Sequence, residues 1–312
     1  MTSRQEFRKK MESVCSRCTA STITTYVHNV YRLARVYDSK ITVTLPKGHK
    51  WLNSPGLVQK VSKMKLGPRR ILSLAAVKAL HALGAPKSEK WGDMMKKSSE
   101  EYDDVREKRM KTPREQARWP KKGYDSLRVA ADKLRGETQK YFSGVKNLSE
   151  LYKVQRYVVM RLYSLHALRL DWADVKLGKP GKEQTNYLYK DSRKGWQLIM
   201  RKYKTAKVMG QQNIKLSRAA SLVLTMFVPL VKDKTSHGYL LSTKNGKKLS
   251  RKGLSNLLSR TTEKYIGKRI SAQIIRVLKA TKFKKQTEEA ANLAKEMLHG
   301  KDQHLQYTKK EK

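Results

Sequence analysis

From Asn186 to Leu216 the spacing of apolar residues changes period, and it does so only once in the chain. Three short runs, Asn186-Tyr187-Leu188-Tyr189, Trp196-Gln197-Leu198-Ile199-Met200 and Gln212-Asn213-Ile214-Lys215-Leu216, are aromatic or β-branched. Turn-forming stretches at 191–195 and 207–210 separate them. Alternation of this kind predicts a three-stranded antiparallel meander over 186–216. On both sides of it the period is helical, so the chain must fold as mostly α with one small sheet, an α+β architecture.

Upstream, Ser21-Thr22-Ile23-Thr24 opens a helix that carries Ile23, Tyr26, Val27, Val30, Leu33 and Ala34 on one face. Ser54-Pro55 opens a second, which Gly67-Pro68 is expected to end, and Ile71 to Leu83 forms a third, stopped by Gly84-Ala85-Pro86. Residues 87–122 are charged and poor in aliphatics, which reads as a linker or an exposed helix. Further helices are expected over Ser126–Leu134, Leu148–Leu168, Ser217–Val228, Ser250–Tyr265, Ser271–Phe283 and Thr287–Leu298. The pattern divides the chain into a basic arm (1–20), a helical domain (21–105), a linker (106–118) and a larger domain (119–312) that contains the meander. At 312 residues there is room for a sizeable core in each of two domains.

Charge narrows the function. Lys and Arg number 70 against 26 Asp and Glu, a formal net charge of +44. A compact chain with such a field needs a polyanion, and nucleic acid fits because each neutralised phosphate releases condensed counterions. A membrane surface is the rival polyanion, but neither a strongly amphipathic basic helix nor a lipidation motif supports it. No apolar run approaches the length of a spanning helix, and the start, MTSRQEFRKKMES, has no apolar core of the secretory type. The expected location is therefore intracellular, wherever the nucleic acid is. The two cysteines, Cys15 and Cys18, lack the further ligands of a zinc site and are expected to be reduced bystanders.

Four segments carry residues suited to phosphoryl chemistry. Leu168-Arg169-Leu170-Asp171-Trp172 closes a long apolar helix; an arginine there also suits the negative helix end, and Arg161 and Arg156 are alternatives. Arg201-Lys202-Tyr203-Lys204-Thr205-Ala206-Lys207 follows the second strand and offers three lysines. Ile270 to Arg276 opens a helix, with Gln273 three residues before Arg276. Near the end, Leu298-His299-Gly300 is followed eight residues after the histidine by Tyr307, with His304 between.

In this order the four segments resemble the tyrosine recombinase (phage-type integrase) family, with a pattern close to members encoded by viruses, virophages and mobile elements. The resemblance covers the second domain by its motifs and the first by layout. It implies a site-specific DNA recombinase that cleaves through a 3′-phosphotyrosine. Tyr307 would be the nucleophile, Arg169 and Arg276 the phosphate-binding cations, and His299 a donor to a non-bridging oxygen. The proton donor would be Lys204, in preference to Lys207 and Lys202. Gln273 takes the place of the family's usual histidine, where it can donate a hydrogen bond but cannot act as an acid or base. Trp172 and Val277 also depart from common family residues. The family implies double-stranded DNA as partner, a homotetramer on DNA, and no cofactor, metal or ATP. A type IB topoisomerase shares the constellation, and a non-catalytic basic DNA-binding protein derived from a recombinase is the reading that Gln273 keeps open.

Overall fold

The computed structural model describes residues 2–283 together with Met297, Leu298, Tyr307 and Lys309. Two compact units divide the chain, Met1–Lys108 and Arg109–Lys312. The helix expected over Thr287–Leu298 lies, apart from its last two residues, outside the described residues.

The first unit is helical: α1 (Arg4–Val14), α2 (Ala20–Tyr37), α3 (Pro55–Ser62), α4 (Leu66–Ala82) and α5 (Glu89–Glu107). A two-residue ribbon pairs β1 (Thr2–Ser3) antiparallel with β2 (Thr44–Leu45). Three sequence expectations are corrected here. Residues 1–20 are not an arm. Within them α1 is capped by Ser3, whose hydroxyl accepts from Glu6 N at 3.2 Å, and it buries Phe7 and Met11 in the core with Val30, Leu33 and Trp91. Phe7 and Met11, one turn apart, are two of only three apolar residues in eleven, so the polar average hid that face. The charged stretch after Pro86, expected as a linker or an exposed helix, forms the helix α5, anchored by the fully buried Trp91, whose indole N–H donates to Leu52 O at 2.9 Å. Gly67 and Pro68 do not end a helix; they sit in the first turn of α4, where a proline's missing N–H costs nothing. Cys15 and Cys18 are joined as a disulfide, where free thiols were expected.

The second unit begins with α6 (Pro113–Arg118), which falls inside the expected linker and is closed by a reciprocal cap between Thr112 and Glu115. Then come α7 (Asp125–Thr138) and α8 (Leu148–Leu165), the central helix, with nine buried residues including Leu151, Val158 and Leu162. Each such aliphatic side chain contributes roughly 1.5–3 kcal/mol by burial. A 3-10 turn (Leu170–Asp174) leads into a sheet of four strands instead of three, in the order β3 (Val175–Leu177), β4 (Asn186–Asp191), β5 (Gly195–Met200), β6 (Gln212–Lys215). The antiparallel meander β4-β5-β6 lies where the period changed, and β3 adds to it in parallel, Val175 opposite Asn186. A three-residue strand is too short to show alternation; it is fixed by distant partners, Leu177 N to Gly238 O and Leu240 N to Val175 O. Between β5 and β6 lies the one-turn α9 (Ala206–Met209), and the unit continues through α10 (Arg218–Lys234), α11 (Arg251–Ile266) and α12 (Ala272–Lys282).

Three buried polar contacts set the frame of this unit. Gln155 on α8 exchanges two hydrogen bonds with Ser242, at 2.8 and 2.7 Å. Tyr124 Oη donates to Tyr163 O at 2.8 Å, and Tyr163 Oη donates to Arg169 O at 2.5 Å. Among the described residues no helix is long and apolar enough to cross a membrane.

Candidate active site

Arg169 leaves the end of α8 just before the 3-10 turn, and the hydroxyl of Tyr163 fixes its carbonyl. Its side chain turns inward, and Nη1 donates to Leu298 O at 3.4 Å. Arg276 lies on α12, whose start is capped by Ser271 accepting from Ile274 N. The helix is amphipathic, and Arg276 falls on its buried side, with 0% of its surface exposed. Its Nη2 donates to Met297 O at 2.8 Å, while Nε and Nη1 are buried and meet no hydrogen-bond partner among the described residues. Unpaired guanidinium donors in a buried position are costly, and an anion is what would satisfy them.

The guanidinium carbon of Arg276 lies 5.1 Å from the ring centre of the half-buried Tyr307. The side chains of Gln273 and Arg169 hydrogen-bond the Tyr307 hydroxyl. Burial raises the phenol's pKa, but the Arg276 charge, the Gln273 hydrogen bond and the Arg169 charge outweigh it and hold the group below its ordinary value of 10. Burial, and then the like charge of Arg169, pulls the Arg276 guanidinium down to about 10, so it stays charged at neutral pH.

The turn after β5 is anchored by Asn186, which is fully buried. Its Oδ1 accepts from Arg201 N at 3.0 Å and Lys202 N at 2.8 Å, and its Nδ2 donates to Lys202 O at 3.0 Å. Tyr203 Oη closes the turn on Gly210 O at 2.6 Å. Lys202, Lys204 and Lys207 are all exposed. Next to Lys204, Thr205 Oγ1 donates to Leu298 O at 2.8 Å. Two successive carbonyls, Met297 and Leu298, thus receive Arg276, Arg169 and the lysine-bearing turn.

The structure brings Arg169, Arg276, Gln273 and Tyr307 together, and Lys204 sits on the turn tied to Leu298 O by Thr205. His299 and His304 lie outside the described residues. The alternative arginines are engaged elsewhere: Arg161 faces Asp132 at 3.9 Å, and Arg156 stacks on Tyr265 and lines a groove of about 470 Å³ with Lys153, Lys244 and Arg260. Sequence reasoning missed several supporting groups. Thr205 and Asn186 are invisible because their partners are backbone groups distant in sequence. Lys279 had a signal: one turn after Arg276, a lysine occupies an apolar face. It is buried, and Nζ donates to Leu165 O at 2.7 Å, placing a cation at the negative end of α8.

Beneath Arg169, Asp171 is wholly buried. Burial raises its carboxyl pKa despite the opposing fields of Arg251 and Arg169. Arg251 Nη2 donates to Asp171 Oδ1 at 2.7 Å and Arg251 Nε to Asp174 Oδ2 at 2.5 Å; Lys248 also reaches Asp174, at 3.1 Å. Burial alone would raise Asp174, but the hydrogen bonds from Arg251 and Lys248 bring it below its ordinary value. Among the described residues no three His, Cys, Asp or Glu side chains are placed to hold a metal ion.

No protein-family model matches the chain, and no curated protein is similar to it in sequence. Solved structures are similar in fold. The Tn1549 transposon integrase in complex with transposon right-end DNA superposes with a TM-score of 0.55 at 12% identity, over 100% of this chain and 96% of that one. The XerH site-specific recombinase bound to its difH substrate gives 0.54 at 12% identity, over 96% and 81%. The mostly helical α+β fold implied by the sequence resemblance is therefore the fold observed.

Proposed function

We propose that the chain is a site-specific DNA recombinase or integrase of the tyrosine type. The reading rests above all on one observation: the buried Arg276, whose Nε and Nη1 have no hydrogen-bond partner among the described residues, lies with its guanidinium carbon 5.1 Å from the ring centre of Tyr307, and Arg169 reaches the same segment. Such a grouping of donors is suited to a phosphodiester. Arg169 and Arg276 would hold the non-bridging oxygens, where negative charge grows as a fifth oxygen approaches phosphorus. Tyr307 releases its phenolic proton to solvent and attacks phosphorus through Oη, the bond to the 5′-oxygen breaks, and Lys204 supplies a proton to that leaving oxygen and is reprotonated from solvent. The product is a 3′-phosphotyrosine and a free 5′-hydroxyl. A 5′-hydroxyl from another strand then attacks the ester, regenerates the phenol and rejoins DNA. Because the ester conserves the bond, the cycle needs neither ATP nor a metal ion. Exchange between two duplexes calls for four protomers, which makes a homotetramer on DNA the working assembly. Like the solved relatives in fold, which are a transposon integrase and a site-specific recombinase held on DNA, this chain would act on duplex DNA.

The test is covalent capture. Nicked suicide duplexes tiled across the DNA flanking the chain's own gene lose a short 5′-hydroxyl fragment on cleavage, trapping the protein–DNA ester. A band stable to detergent and lost in Tyr307→Phe supports the reading. Tight duplex binding with no ester on any tile would make the chain a binding protein instead.

A further inference from the structure

Arg251 occupies the first position of α11, at the positive end of the helix dipole, the least favourable place for a cation. Its partners explain it. Asp171 and Asp174 both lie on the 3-10 turn that directly follows Arg169, and Arg251 binds the two at once through Nη2 and Nε. The Asp171 side chain is 1% exposed, and its second oxygen, Oδ2, has no hydrogen-bond partner among the described residues. The other cations whose charge reaches Asp171 are Arg169 and Arg276. A buried carboxylate deprived of its counter-ion seeks another or takes up a proton. Without Arg251, the charges left acting on Asp171 would be those of Arg169 and Arg276.

We propose that Arg251 is a positioning residue: by engaging Asp171 and Asp174 it fixes the turn behind Arg169 and keeps the Asp171 carboxylate from turning to Arg169 and Arg276, leaving both free for the phosphate. This rests on the recombinase reading. Arg251 itself touches no reacting atom.

The test is a suppressor experiment on the full chain, with single-turnover ester formation on a nicked suicide duplex that wild type cleaves. Arg251→Leu should slow the rate constant at saturating DNA by at least about tenfold, since charge neutralised at the phosphate is lost from the transition state. Its DNA affinity should stay within about twofold, because one exposed contact is small among many phosphate contacts. Adding Asp171→Asn removes the competing charge and should recover most of the rate; Arg251→Lys, which keeps the charge, should lie between. An Arg251→Leu variant as fast as wild type would overturn the inference. So would an Asp171→Asn/Arg251→Leu double variant as slow as Arg251→Leu alone, which would leave Arg251 a plain structural contact. If Arg251→Leu does not fold, the comparison of Asp171→Asn/Arg251→Leu with Asp171→Asn decides: equal rates support the inference and a large gap refutes it. A second readout needs no cleavage. The Tyr307 phenol titration, taken as the difference from Tyr307→Phe, should move up in Arg251→Leu and return in the double variant. Should wild type form no ester while this titration behaves as stated, the recombinase reading fails and the arginine's role stands.

Discussion

Arg276 and Tyr307 face each other with the guanidinium carbon 5.1 Å from the ring centre, and the cation is the more deeply buried of the two. A charge that cannot be screened by water acts strongly on its neighbour. The phenol is therefore the most informative titrating group in the site. Its pKa in the folded chain is depressed, so ester formation should rise with pH along a limb that levels off below 10. Arg276→Gln removes the main lowering charge and should push that limb upward, as well as lowering the plateau. The check is the single-turnover rate measured against pH for both proteins; an unmoved limb would mean that another group limits the rate.

Tyr307→Phe deletes one oxygen and leaves the ring on Arg276. Duplex binding should persist and the covalent adduct should vanish, as read by gel shift and denaturing gel. Arg169→Ala or Arg276→Ala should slow the adduct by several orders of magnitude, an effect on the order of 3–5 kcal/mol.

Thr205→Val keeps the shape of the side chain and removes the donor to Leu298 O. The turn bearing Lys204 then loses a tie of about 1 kcal/mol. Ester formation should fall about fivefold with no change in affinity. Lys204→Ala should fall much further, and a substrate with a better leaving group than the 5′-oxygen, such as a 5′-phosphorothiolate, should restore its rate. Failure of that rescue would move the proton donor to Lys202 or Lys207.

Gln273→Ala removes a hydrogen bond to the Tyr307 hydroxyl and should raise the phenol's titration. Gln273→His should cleave at least as fast as wild type, since imidazole can fill the same position as a donor. A dead Gln273→His variant would show that the amide is needed for itself.

Affinity for duplex DNA should fall steeply with salt, as expected when many phosphates are contacted. Lys202→Ala and Lys207→Ala should each reduce the slope by about one while leaving cleavage intact. A flat salt response measured by fluorescence anisotropy would assign the +44 charge to another purpose.

How much of this was legible in the chain depends on the range of the forces involved. The β4-β5-β6 meander and the helices α2, α8, α10, α11 and α12 follow local periodicity, and their sequence signals were clear. Arg169, Gln273, Arg276 and Tyr307 were singled out by the order of four short segments that resembles a known family, and the structure places them near one another. The strand β3 was missed because three residues are too few to show alternation, and the contacts on its other side, Gly238 and Leu240, lie some sixty residues on. The helix α1 was missed because two buried side chains, Phe7 and Met11, outweigh eight polar ones only once a core exists to receive them. The clasp of Arg251 on Asp171 spans eighty residues of sequence, and nothing near either residue announces the other.

The acceptors that gather the site, Met297 O and Leu298 O, belong to the backbone. Every amino acid brings a carbonyl, so mutation of the side chains at 297 and 298 cannot delete these two attachment points. It can only misplace them, and Leu298, at a φ of 57°, already holds a conformation that side chains disfavour. Drift in this segment is thus limited by shape and not by chemistry. A lineage could exchange many of the residues around the site and still deliver two arginines and a threonine to the same pair of oxygens. That freedom offers a physical reason why chains 12% identical can share one fold while sequence comparison alone finds nothing.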